Sequence, residues 1–114
     1  MNKIIKKINS GLHYSLEGLK FLLRDPSWQI EFVVMIIATI VIFIIDKTYI
    51  EKILLFSSCF LVLIIEALNA GIEAAIDRVS LKIHPLAKKA KDVASAAVFL
   101  AICNAIAVWL VLLL

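Results

Sequence analysis

An all-α membrane protein, with three transmembrane helices preceded by an amphipathic surface helix, is the fold class this sequence predicts. Three observations predict it. The 114 residues are 63% hydrophobic, with a mean hydropathy of +1.03, and a soluble domain of that size has too little interior to hide so much apolar surface. Apolar residues dominate three long stretches, 28–45, 51–77 and 93–114, each near or above the roughly 20 residues needed to cross a hydrocarbon core of about 30 Å. Residues 3–24 instead repeat their apolar side chains at helical spacing. The chain therefore reads as one membrane-embedded domain with no internal repeat and no signal-peptide pattern at its start.

The surface helix comes first. Ile5, Ile8, Leu12, Leu16, Leu19 and Leu23 recur on one face, while Lys6, Lys7, Ser10, Glu17 and Arg24 project elsewhere. A narrow apolar stripe opposed by lysines suits a helix lying in the membrane interface. Asp25-Pro26 then breaks it, because the residue before a proline is pushed out of the helical region and proline favours the first turn of a new helix. Asp25 is accordingly a candidate cap as well as a candidate carboxylate for chemistry. Trp28 reads as an interfacial anchor for the first span, and Glu31 sits one turn inside, shallow enough to reach head groups. Residues 46–52 form a short polar connection, and residues 79–92 a second polar loop carrying Lys82, His84, Pro85, Lys88, Lys89 and Lys91. Ser95, Ala96 and Ala97 open the third span with side chains small enough for close helix contact. Asn104, alone in its apolar run, suits an interhelical hydrogen bond.

Lysine and arginine number five before Trp28, two in the first connection and five from Arg78 to Lys91. The positive-inside rule places the N-terminus and the second loop in the cytoplasm and the C-terminus outside.

The second stretch ends in residues 66–78, EALNAGIEAAIDR. Glu66, Asn69, Glu73 and Asp77 are spaced i, i+3, i+7 and i+11, within roughly 80° of one another on a helix. Ionisable side chains at such depth are expensive and point to function. Glu66 and Glu73 stand about 10.5 Å apart along the axis, too far to share one Mg²⁺ with ligands at about 2.0–2.1 Å, so they suit two tasks. Glu73, nearer the cytoplasm, suits a Mg²⁺ bridging nucleotide phosphates. Glu66, deeper, can accept a proton from a lipid hydroxyl, with Asn69 orienting either carboxylate. Lys91 and Asp92 stand near the same face, Lys91 to contact phosphate and Asp92 to position Lys91 or a water. Carboxylates at two depths beside a basic loop are parts a phosphoryl transfer requires. The only glycines, Gly11, Gly18 and Gly71, form no phosphate-binding loop, so any nucleotide site is of an unrelated kind. Three spans are too few to enclose several carboxylates, which makes self-association a physical expectation. Cys59 and Cys103 lie in apolar runs without metal-ligand spacing, and no basic-aromatic motif supports nucleic-acid binding.

The stretches EALNAGIEAAIDR from Glu66, AKDVASAAV from Ala90 and HYSLEGLK from His13 resemble the prokaryotic diacylglycerol kinase family, small integral-membrane lipid kinases, and the resemblance runs over about residues 7–109. It implies a homotrimer with composite sites between protomers, in the bacterial inner membrane. It also implies Mg²⁺- and ATP-dependent phosphorylation of a diacylglycerol hydroxyl to phosphatidic acid. By that resemblance Glu66 is the proton acceptor and Glu73 a metal-binding residue, and Asp25 stands where the family has a metal-binding Glu. Lys7, Tyr14, Asp77, Lys82, Ile83, His84, Lys91 and Asp92 fall on the nucleotide side. Glu31, Ser95 and Trp109 fall on the lipid side, with Lys7 near both. Undecaprenol is the alternative acceptor within the family, and His-Pro-Leu-Ala-Lys from His84 is at home in that branch too. A small proton-coupled transporter also uses an intramembrane glutamate, but it predicts one dominant carboxylate and little chemistry in the loops.

Overall fold

The computed structural model describes residues 2–80 and 82–114, and the described residues form four α-helices: α1 (Asn2–Leu22), α2 (Pro26–Ile44), α3 (Tyr49–Val79) and α4 (Pro85–Leu113). Each helix boundary has a local cause. Asp25, in extended backbone, accepts the Trp28 N–H through Oδ1 at 3.1 Å, and Pro26 occupies the first helical position of α2. Thr48 and Glu51 form a reciprocal capping box at the start of α3, satisfying donors that a helix start otherwise leaves free. His84 caps α4, its Nδ1 accepting the Leu86 N–H at 3.1 Å, with Pro85 following.

The last of these caps revises the sequence reading. Residues 85–92 were expected to be loop because they are polar, but lysine and alanine are good helix formers. The His84 cap and Pro85 start the helix there, so the connection shrinks to the few residues after Val79. The apolar stretch 93–114 is embedded in a longer helix whose first two turns are basic. The helices α2, α3 and α4 are each long and apolar enough to cross a membrane.

Helix α3 is the middle of the bundle, packing against both α2 and α4. Of its buried residues, Leu55, Ser58, Val62, Glu66 and Ala70 recur at three or four positions, with Leu63 beside Val62, the spacing of one helix face. Ser58 returns its hydroxyl to the Leu55 carbonyl at 2.8 Å, so it needs no outside partner. Glu66 occupies a place that this periodicity assigns to an apolar side chain. On α4 the buried residues are Ala94 and Ala101, seven apart on one face; they, rather than the exposed Ser95 and Ala96, admit the close approach of α3.

Trp28 is 7% exposed, buried against Met35 and Leu63, and its indole Nε1 donates to the Leu63 carbonyl at 3.3 Å. It therefore ties α2 to α3 instead of serving as an interfacial anchor, and it stacks on Phe32 with ring centroids 5.2 Å apart. No residue of α1 is buried. Its C-terminal Leu22 packs against the Trp28 cluster, while Ile4, Ile5, Ile8, Leu12 and Leu16 remain exposed, as an interfacial helix requires.

Replacement of Trp28 by Phe removes one buried hydrogen bond and is expected to lower unfolding free energy by about 1 kcal/mol. Replacement by Ala, which also opens a cavity, is expected to cost ~3–5 kcal/mol. Denaturant titration of the detergent-solubilised protein measures both. Equal losses for the two variants would show that the indole packs without contributing volume to the core.

Candidate active site

The long helix α3 sets its polar side chains out along its axis. Along its axis Asp77, Glu73, Asn69 and Glu66 lie at successive steps of four, four and three residues, about 6, 6 and 4.5 Å. Glu66 is 7% exposed, and among the described residues the three ion pairs do not include it. A buried carboxyl group without a charged partner is costly. The carboxylates of Glu31, Asp25 and Glu73 lie within electrostatic reach of Glu66, and Asn69 stands one helical turn from it. Asn69 Nδ2 donates to Glu73 Oε1 at 3.4 Å, so Asn69 sits between the two glutamates, as the sequence reading expects. Its Oδ1 is buried and has no hydrogen-bond partner.

Asp25, Glu31, Glu66 and Glu73 thus lie near one another where α2 begins beside α3, and among the described residues none of the four is in a salt bridge, although Lys91 lies within electrostatic reach of Glu73. Such a set raises the local demand for cations. Among the described residues no three His, Cys, Asp or Glu side chains converge into a closed metal cage. Mg²⁺ does not require one, since it typically takes one or two carboxylates and completes its shell with water and phosphate oxygens. Asp25 and Glu73, together with the orphaned Asn69 oxygen as a partner for coordinated water, fit that manner of binding.

A separate cleft of about 260 Å³ lies at the α3–α4 junction, lined by Asp77, Lys82, Ile83, His84, Lys88 and Lys91 among others. It collects five residues that sequence reasoning placed on the nucleotide side. Lys91 Nζ pairs with Asp77 Oδ1 at 2.6 Å across the two helices. Asp92, expected to position Lys91, instead pairs with Lys88 at 2.6 Å. The helical register explains the change: Lys88 and Asp92 are i and i+4 on one face, whereas adjacent residues such as Lys91 and Asp92 point apart. Lys88 was recognised only as one lysine of a loop. Reading residues 85–92 as helix would have put it beside Lys91.

A third feature is an apolar groove of about 590 Å³ between α2 and α4, floored by α3 at Cys59 and Val62 and containing Glu31, Met35, Ile102 and Trp109. Trp109 Nε1 is buried without a partner. Glu31 and Trp109, two of the lipid-side expectations, therefore share one cavity; Ser95 is exposed and lines neither cavity. Lys7 and Tyr14 are exposed on α1 and are not brought to the cleft within one protomer. Asn104, expected to bond to another helix, is exposed on α4.

The sequence reading expects carboxylates at two depths beside a basic loop; the structure has a basic cleft at the Asp77 end of the carboxylate ladder and, unforeseen from the sequence, an apolar groove between α2 and α4. Comparison with known proteins decides the family. The chain matches the family described as prokaryotic diacylglycerol kinase over residues 13–113. This chain belongs to the prokaryotic diacylglycerol kinase family. It is 40% identical over 111 residues to a diacylglycerol kinase of Pseudomonas aeruginosa, covering 96% of this chain and 90% of that protein. It is 39% identical over 108 residues to the diacylglycerol kinase of Escherichia coli, covering 94% and 88%. A Helicobacter pylori diacylglycerol kinase is 40% identical over 96 residues, covering 83% and 75%.

The Lys91–Asp77 pair is partly exposed, at 41% and 45% for the two side chains, and pairs of that kind contribute about 0.2–1 kcal/mol. A double-mutant cycle of Lys91→Met and Asp77→Asn, read by denaturant unfolding, is expected to give a coupling within that range. A coupling above about 2 kcal/mol would mark the pair as a structural clamp instead of a binding arrangement.

Proposed function

We propose that this chain is an ATP-dependent diacylglycerol kinase that works as a homotrimer in the bacterial cytoplasmic membrane, with its N-terminus and the α3–α4 connection facing the cytoplasm. The single observation that carries the mechanism is the buried, unpaired Glu66 standing above Asn69 and Glu73 on one helix face. The family, and the names its relatives carry, support diacylglycerol as the acceptor. The lysine and arginine distribution supports the orientation. The trimer is supported by the incompleteness of one protomer, whose Glu73, Lys7 and Tyr14 are all exposed.

The nucleotide occupies the cleft of Lys82, Ile83, His84 and Lys91, with its phosphates directed along α3 towards Glu73. The lipid enters sideways from the bilayer, its chains against apolar side chains and its hydroxyl at Glu66. Glu31 lies at the lipid side of the same acidic group. As the hydroxyl oxygen bonds to the terminal phosphorus, its proton passes to a Glu66 carboxylate oxygen. The bond from that phosphorus to the bridging oxygen breaks, and ADP leaves with the electron pair. Asn69 holds the two glutamates apart and orients them. Lys91 neutralises phosphate charge once exchanged from Asp77. When bound, Mg²⁺ neutralises the phosphates and favours in-line geometry, and Asp25 and Glu73 would hold it. Asp25 combines this task with capping α2, which requires only one of its carboxylate oxygens.

Purified protein incubated with labelled ATP and Mg²⁺ is expected to phosphorylate diacylglycerol in preference to undecaprenol. Preferential transfer to undecaprenol would reassign the acceptor, and transfer to neither would remove the kinase reading. Glu66→Gln and Glu73→Gln each keep side-chain size and lose the charge, so each is expected to abolish transfer while the oligomer persists in detergent. Near-normal turnover by either variant would contradict the role given to that residue. Asn is as good a helix cap as Asp, so Asp25→Asn is expected to leave thermal stability unchanged and raise the Mg²⁺ concentration needed for half-maximal activity. An unchanged Mg²⁺ titration would leave Asp25 as a cap alone.

A further inference from the structure

Lys88 stands in an arrangement that helix stability alone does not favour. It is the fourth residue of α4, near the positive end of the helix dipole, where a cation is disfavoured. Its partner Asp92 follows it at i+4, the weaker orientation of a helical ion pair. Both side chains are well exposed, at 69% and 62%, so the contact is a minor contribution to the fold. Lys88 nevertheless lines the 260 Å³ cleft together with Lys82 and Lys91, while Asp92 does not line it. Three lysines against one aspartate leave the cleft walls cationic, and Lys91 is already held by Asp77. The Lys88 ammonium is thus tethered at the rim by a carboxylate outside the cleft, on a flexible stem able to swing inward.

We propose that Lys88 is a phosphate-binding residue of the nucleotide cleft, exchanging Asp92 for a phosphate oxygen of the incoming nucleotide. The inference rests on the kinase reading above and adds to it a residue that sequence reasoning did not single out. An arriving polyphosphate relieves the unfavourable cation at the start of α4 and releases Asp92. No bond is made or broken, and the exchange swaps one ionic partner for another. Because Lys88 acts before the chemical step, it governs nucleotide affinity and leaves turnover to Glu66 and Glu73.

The test uses purified full-length protein in mixed micelles with diacylglycerol, comparing wild type, Lys88→Met and Lys88→Arg. The Met variant is expected to raise the KM for ATP roughly five- to tenfold with kcat within about twofold, the size expected for one charge-assisted hydrogen bond at a solvated site. The Arg variant is expected to restore most of the affinity. Inhibition constants for ADP and inorganic tripolyphosphate are expected to rise in parallel, while that for adenosine stays unchanged. The KM shift is expected to be the same at low and high phosphatidic acid content, since the phosphate concerned is the nucleotide's. An active wild type with an unchanged KM in Lys88→Met overturns the proposal and leaves the kinase reading standing. A rise in the adenosine constant equal to that of tripolyphosphate overturns it by placing Lys88 on the base. A shift that follows only the phosphatidic acid content overturns it by assigning Lys88 to lipid phosphate. Absence of transfer by the wild type overturns this inference and the kinase reading together.

Discussion

Everything in this structure that bears on function depends on one buried carboxyl group. Glu66 lies on the packing face of α3 in register with Leu55, Val62 and Ala70, where an apolar side chain would close the bundle at lower free energy. Asn69 stands one turn from it, and among the described residues no lysine or arginine forms a salt bridge with it. The surroundings add further negative charge from Asp25, Glu31 and Glu73. A helix bundle selected only for stability would not gather four acids there. The arrangement becomes intelligible once cations and phosphate share the site, because each carboxylate then has a partner that the isolated chain does not contain.

The same constraint explains how the rest of the chain is divided. Helix α3 is long enough to carry Glu66 within the bundle and Asp77 at the level of the basic cleft, so one element spaces the buried carboxyl group from the cleft. Helices α2 and α4 flank it and leave the apolar groove between them. Trp28 binds α2 to the α3 backbone three residues before Glu66, so the bond that ties the start of α2, with Asp25 and Glu31, to α3 is made next to the acidic stripe. The basic first turns of α4 bring lysines to the end of that stripe. One salt bridge, Lys91 to Asp77, joins them to α3, and a second, Lys88 to Asp92, lies within α4.

Much of this was legible in the residues, for identifiable reasons. Asp25-Pro26 announces a cap because its effect is local, and the structure has Asp25 capping α2 as that dipeptide implies. The stripe from Glu66 to Asp77 is legible because helical periodicity is fixed. The motifs around it carry the family, which the matched relatives bear out. Other features escaped because they depend on what the folded chain brings together. The Trp28 indole reaches a carbonyl 35 residues away, which turns an apparent surface anchor into a buried link. Lys91 finds Asp77 across 14 residues, a pairing that no single-helix rule contains. Residues 85–92 read as loop because polarity was weighed above helix propensity, and that hid the shared face of Lys88 and Asp92.

Glu66→Leu offers the most direct test, because it separates stability from chemistry at the position where the two conflict. Unfolding of wild type and variant in the same mixed micelles, followed by denaturant titration, gives the stability difference, and labelled-ATP transfer to diacylglycerol gives the activity. If Glu66 is kept for chemistry against the interest of the fold, the leucine variant will be more stable than wild type, by about 1 kcal/mol or more, and inactive. A leucine variant that is less stable than wild type, or that still transfers phosphate, would contradict the account.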